Sequence, residues 1–499
     1  MNFINIKNCK TIDINDIPKL NLQDFHKLIL SFCKQSHRPL SLYGLSRDKD
    51  IIQLVCILAD DSISELKLFS TTMKSGDKYP SLTLHYPAFQ MLERDLWERY
   101  NIIPEGHPWL KPLRYCDKKS DMSTYKFFEI QSEQIHQIGV GPVHAGIIEP
   151  GHFRFMCSGE KVKHLELQLG YQHRGIEKII INSPIKDKCR IAESICGDSV
   201  IANSYAYAQL TESLSNIKPN TYINLIRALA LEMERIAIHI GDLSALANDI
   251  AYQPASSYLG AFRTLIINSL LKISGSRFGR GLMKVGGVNY NIDEILVDDL
   301  IKTHKKVFDA VAEILEIFFT QPSVLSRFEH TGTIEQKTAV TIGLKGLSAR
   351  ASGLKTDIRS DYPFGIYKEL PYYPVSWDSG DVFARAYIRF LEIKQSMKFI
   401  HSLLEKIINS KNKQINVIDE DTQISMKKNA LCISLIEAWR GELIHIASTN
   451  EKGEFDNYNI IDPSVNNWYA LALALREEGI SDFPLCNKSF NLSYCGNDL

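Results

Sequence analysis

Apolar residues change their spacing once along this chain, near residue 125, and the change separates two kinds of structure. Before that point the apolar runs are short. Residues 51–58 (Ile-Ile-Gln-Leu-Val-Cys-Ile-Leu) and 81–86 (Ser-Leu-Thr-Leu-His-Tyr) are β-prone and are separated by the turn residues Ser75, Gly76 and Asp77, so both are predicted strands. Phe89, Leu92, Leu96 and Tyr100 then recur at helical spacing, which predicts a helix over 88–100, ended by the Pro- and Gly-rich 103–108. Beyond residue 125 the stripes lengthen. Leu225, Leu229, Met233, Ile236, Ile240 and Leu243 advance by steps of four or three, and Val307, Phe308, Val311, Ile314, Leu315 and Phe318 form a second stripe, as the core faces of a helix bundle do. Segments 141–169 and 431–446 read as shorter and more β-like. The expected fold class is α+β: a small N-terminal α+β domain over 1–120, a linker over 121–135 that follows the polar residues 117–124, and a large, mainly α-helical domain with a small β-sheet over 136–499.

Charge and cysteine usage remove several functions. The 499 residues carry 57 Lys+Arg against 58 Asp+Glu, a formal net charge of −1, which argues against nucleic acid as the main partner. The ten cysteines include no CxxC pair, so a zinc or iron–sulfur cage built by this chain alone is not expected. Reduced, buried thiols in a cytosolic protein are the expectation instead. The first residues mix Asn, Lys and Asp among the apolar ones, and no run of about 18 apolar residues occurs, so neither a signal peptide nor a membrane span is predicted.

Two clusters concentrate chemistry. Residues 141–155 place His144, Glu149, His152 and Arg154 among Gly and Pro, which fits a loop entering a strand, either as a structural turn or as a cavity edge. Residues 169–178 gather Tyr171, His173, Arg174 and Glu177 around Gly170 and Gly175, equally a salt-bridged helix start. Further ordered motifs follow: Cys196-Gly197-Asp198-Ser199, Glu232-Met233-Glu234-Arg235, Gly346-Leu347-Ser348-Ala349-Arg350, Glu437-Ala438-Trp439-Arg440-Gly441-Glu442 and Asp462-Pro463-Ser464.

Taken together over 136–499, these motifs resemble the large hydrophilic subunit of respiratory complex I (NADH-quinone oxidoreductase) and the large subunits of group 4 membrane-linked nickel-iron hydrogenases of the hydrogenase-4/formate hydrogenlyase type. Leu92-Glu93-Arg94-Asp95, Gly106-His107-Pro108 and Leu113-Arg114 look like the smaller companion subunit of complex I, here fused in front. The resemblance implies a peripheral-arm subunit on the cytoplasmic face of a membrane. Its partners would be a small iron–sulfur subunit and antiporter-like membrane subunits. It would pass electrons from the partner's cluster to a quinone-like acceptor, coupled to proton or ion transport, with NADH as donor only if a flavin module is present. A non-catalytic scaffold is the alternative.

The departures from the family pattern shape the expected site. Hydrogenases of this family hold their metals with four thiolates, and the corresponding positions here are Cys196, Ser199, Ser493 and Gly496, so no metal and no other cofactor is expected on this chain. The His and Tyr that contact quinone in complex I fall on Ile148 and Gly197. His144, Tyr171, His173 and Tyr494 are the remaining quinone-cavity candidates, and Glu149, His152 and Arg440 the expected catalytic residues. Arg440 would either stabilise an anion or pair with Glu442 or Asp462, and Asp198 would cap the following helix rather than donate a proton.

Overall fold

The computed structural model describes residues 2–46, 51–115, 121–418 and 424–499. The N-terminal unit is a four-stranded antiparallel sheet in the order Ile4–Ile6, Glu65–Lys74, Ile51–Asp60, Arg38–Ser46. Helix Leu22–Lys34 covers it. Asn21 caps that helix by accepting from the Asp24 N–H, and Phe25, Ile29, Phe32 and Cys33 form its buried face, with Phe25 5.4 Å from Phe69 of the sheet.

The helix expected over 88–100 runs from Gln90 to Tyr100, preceded by a 3-10 turn, and Asn101 ends it in the left-handed region. The strand expected over 81–86 does not form. Glu93, wholly buried, draws that segment into turns by accepting from the Ser81 and Thr83 hydroxyls (both 2.6 Å) and from the Leu82 and Thr83 N–H groups (2.8 and 3.1 Å). Only Lys78–Pro80 is a strand here, paired in parallel with Ile103–Glu105.

The large part is a bundle of long helices, Val200–Leu214, Thr221–Asp249, Gln253–Ser274, Glu294–Phe318 and Val382–Ile408. Every residue of the stripe from Leu225 to Leu243 is at most 2% exposed. In the second stripe Val307, Val311, Leu315 and Phe318 are buried, whereas Phe308 and Ile314 pack from its edge. Among the described residues a two-stranded ribbon, Met283–Lys284 with Gly287–Val288, and two larger sheets accompany the bundle. One has the order Lys161–Gln168, His152–Ser158, His136–Val140, and the other Phe455–Ile461, Gly441–Thr449, Ala430–Ala438, Ile12–Asp13.

In that last pairing Ile12–Asp13 is an edge strand of the C-terminal sheet, in register with Leu431 and Ala430. Residues 116–120 lie outside the described part, but 121–135 is tied down: the buried Glu166 carboxylate accepts from the Tyr125 hydroxyl (2.7 Å) and the Phe128 N–H (2.6 Å). Further ion pairs join the two units, Arg99 to Glu177 (2.5 Å) and Arg38 to Glu442 (3.0 Å). Among the described residues no helix is long and apolar enough to cross a membrane.

Candidate functional site

The loop from Gly141 to Gly151 joins two strands of the three-stranded sheet, and its two histidines hold its shape. His144 Nε2 donates to the Gly151 carbonyl (2.8 Å) and His152 Nδ1 to the Gly141 carbonyl (2.9 Å). His152 begins a strand whose alternate residues face opposite sides. Phe153 and Phe155 enter the core against Phe483, while His152 and Arg154 turn the other way onto the Phe127 ring. Gly151 is required by a close approach: a Cβ there would lie 2.8 Å from the Tyr494 ring. Tyr494 packs edge-on against Trp468, and burial pushes its hydroxyl up to about 12.

The second cluster grips the C-terminal residues. Asp498 accepts from the Gly170 and Gln172 N–H groups (both 2.9 Å), His173 Nδ1 donates to the Asp498 carbonyl (2.8 Å), and the Arg174 and Gly175 N–H groups donate to the Leu499 carbonyl. Tyr171 donates to Gln168 (3.0 Å). Between the two clusters lies an open cavity of about 460 Å³, lined by Glu149, Tyr171, His173, Arg174, Arg280 and Cys495 among others. Of the residues expected in the cavity or catalytic, Glu149, Tyr171 and His173 line it. His144, His152 and Tyr494 do not, since their rings serve the loop and the core, and Arg440 is not in the lining either.

Cys196, Ser493, Cys495 and Gly496 meet next to this cavity, and of the four Cys495 lines its wall. Cys196 Sγ donates to Asp198 Oδ1 (2.9 Å) and lies 3.1 Å from Ser493 Oγ, which is 3.5 Å from Cys495 Sγ. Ser493 caps helix Tyr494–Asp498 by accepting from the Gly496 N–H (2.8 Å), and the Cys495 N–H donates to Glu149 (3.3 Å). Cys196 and Cys495 are both free thiols. The neighbouring Cys495 thiol, with burial, raises the Cys196 thiol well above its ordinary range, and Cys196 lowers the Cys495 thiol against the opposing effect of burial. Ser199 is buried at the start of helix Val200–Leu214.

Arg440 closes the arrangement. It sits with Trp439 in the two-residue turn between paired Ala438 and Gly441, its guanidinium 3.9 Å from the Trp439 ring centroid. It holds Asp198 through two parallel bonds of 2.7 Å, donates to the Asn491 carbonyl (2.6 Å), and brings Nη1 to 3.6 Å from Cys196 Sγ. The partner expected from sequence, Glu442 or Asp462, is not the one it takes. Glu442 lies on the strand beyond the turn and binds Lys345 (2.5 Å) and Arg38 instead. Asp198 is likewise an ion-pair partner rather than a helix cap. Burial pushes its carboxyl up, and Arg440 overcomes this to hold it below the usual carboxylate range.

Sequence reasoning passes over a buried ionic network beside the site. Glu232 pairs with Arg235 and Arg359, and Arg350 with Glu392 and Glu437, all at most 1% exposed. Glu234 accepts from the Ile201 and Ala202 N–H groups (2.7 and 3.2 Å), and burial pushes its carboxyl up to about 8. A signal for it exists in the chain: Glu232, Glu234 and Arg235 interrupt a helix stripe that is otherwise apolar. Among the described residues no cluster of three or more His, Cys, Asp or Glu is placed to hold a metal ion.

An N-terminal sheet unit is thus joined to a helix bundle, with a cavity between glycine-rich loops and the C-terminal residues. The family described as respiratory-chain NADH dehydrogenase, 49 Kd subunit, matches residues 249–498, half of the chain, and the chain belongs to that family. The 30 Kd subunit family of the same enzyme matches residues 23–121. Formate hydrogenlyase subunit 5 of Escherichia coli is 27% identical over 84% of this chain and 77% of its own length. The carbon monoxide-induced hydrogenase of Rhodospirillum rubrum is 28% identical over 71% of this chain and 97% of its own. The C/D subunit of the NADH-quinone oxidoreductase of Phocaeicola vulgatus is 24% identical over 77% and 82% respectively. Among solved structures, a chain of the membrane-bound sulfane sulfur reductase, an archaeal respiratory membrane complex, shares the fold at a TM-score of 0.69 and 20% identity, covering 74% of this chain and 100% of that one.

Proposed function

We propose that the chain is a peripheral-arm subunit of a membrane-bound oxidoreductase, taking electrons from the cluster of a small iron–sulfur partner and passing them to a quinone-like acceptor. The observation that carries this reading is an open cavity with Glu149, Tyr171, His173 and Cys495 in its wall, and the Arg440–Asp198 pair fixed beside the neighbouring Cys196. A guanidinium held rigidly by two bonds stabilises charge that develops on an acceptor, and it needs no reorganisation to do so. Glu149, in the cavity wall, is the carboxylate placed to exchange protons there. Antiporter-like membrane subunits would couple the reaction to ion movement, and attachment to the cytoplasmic face would be through them.

The side chains do not fit a nickel-iron centre. Of the four positions that the resemblance assigns to thiolates only Cys196 carries one, a cation stands 3.6 Å from its sulfur, and a Cβ at Gly496 would lie 2.5 Å from Asp462 Oδ2. A scaffold without turnover is the second reading, favoured by the use of His144 and His152 as loop braces and by Ile148 and Gly197 at the positions of the quinone pair.

Quinone-analogue reduction by the purified complex separates the readings. Arg440→Ala is expected to lower turnover about tenfold or more with the complex still assembled. Unchanged turnover in assembled Arg440→Ala, or stoichiometric nickel in the wild type, would overturn the proposal.

A further inference from the structure

Two free thiols, Cys196 and Cys495, are held on one hydroxyl, 3.1 and 3.5 Å from Ser493 Oγ, and only Cys495 lines the open cavity. Cys495 lines the cavity beside Glu149, and Cys196 is 2% exposed, bonded to Asp198 and set near the guanidinium of Arg440. Ser493 Oγ contacts both sulfurs. This is the arrangement of an attacking thiol, Cys495, with a buried resolving thiol, Cys196, whose ionised sulfur the Arg440 guanidinium 3.6 Å away would stabilise.

We propose that Cys196 and Cys495 are a two-electron dithiol/disulfide couple that reduces the quinone-type acceptor directly. The couple rests on the functional reading above and names the groups that carry the electrons within it. Cys495 sulfur adds to an electrophilic carbon of the quinone, forming a C–S bond. Cys196 sulfur then attacks Cys495 sulfur. The S–S bond forms, the C–S bond breaks, and its electron pair passes to the ring. The two thiol protons complete the hydroquinone, so that two Cys–SH and one quinone become one disulfide and one hydroquinone. Two single electrons from the partner's iron–sulfur cluster and two protons restore the dithiol.

The test uses the assembled complex, reduced with a small dithiol, freed of it without oxygen, and exposed to a fully substituted benzoquinone with no other donor. One hydroquinone is expected per chain, with two thiols lost and the peptides carrying Cys196 and Cys495 joined by a disulfide. Cys196→Ser is expected to remove the cross-link and to lower donor-driven quinone turnover about tenfold or more, whereas Cys33→Ser, in the N-terminal unit, leaves both unchanged. Donor-driven turnover that persists in Cys196→Ser and Cys495→Ser, with no cross-link in the wild type, overturns the couple and leaves the quinone reading standing. Absence of quinone reduction by the wild type in both assays overturns the two together.

Discussion

Glu234 is the residue whose ionisation most directly opposes the fold. Its carboxyl, pushed up by burial to about 8, stays protonated in the folded chain where an unfolded glutamate, near 4.3, has lost its proton. The folded state therefore binds the extra proton between those values. Stability from this group falls as pH rises from about 4.5 to 8, by at most about 1.4 kcal/mol per pH unit, and is level above. Glu234→Gln removes that slope, so thermal melts should show the variant gaining on the wild type from pH 5 to pH 8; a gap independent of pH would refute this. At this scale the sequence is partly legible. Glycines and charged residues mark the loops 141–155 and 169–178, but not the direction of their side chains. The rings of His144 and His152 are claimed by carbonyls seven and eleven residues away, and Arg440 finds Asp198 across 242 residues.

At the scale of elements, periodicity reads well wherever one face is buried and fails where a single side chain redirects the backbone. The stripe from Leu225 to Leu243 is one continuous core face because each step keeps it on the same side of helix Thr221–Asp249. Segment 81–86 has the alternation of a strand, yet Glu93 offers its N–H and hydroxyl groups a carboxylate instead of a neighbouring strand. Glu93→Ala would leave those donors without their acceptor in the core. The expected cost is about 2–4 kcal/mol, seen as a lower denaturation midpoint; a loss below about 0.5 kcal/mol would mean that the clamp is dispensable.

Across the whole molecule, the two units are held as one by charges at their boundary. Glu442, 5% exposed, binds Lys345 of the large part and Arg38 of the N-terminal sheet. Glu442→Ala leaves Lys345 buried without its counter-charge, a loss of about 3–5 kcal/mol, and calorimetry should resolve a separate, earlier transition for the N-terminal unit. A single transition at the wild-type temperature would rule this out. The strand Ile12–Asp13, which joins the sheet at Ala430–Leu431, also sets a timetable for biosynthesis. At roughly 5–20 residues per second, the ribosome releases this strand roughly 20–80 s before its partner exists. Ile14, 1% exposed and donating its N–H to the Asn429 carbonyl, waits with it. Strand Ile12–Asp13 is thus seated long after it is synthesised, and nascent chains halted before residue 430 would carry an uncovered apolar segment that longer chains hide.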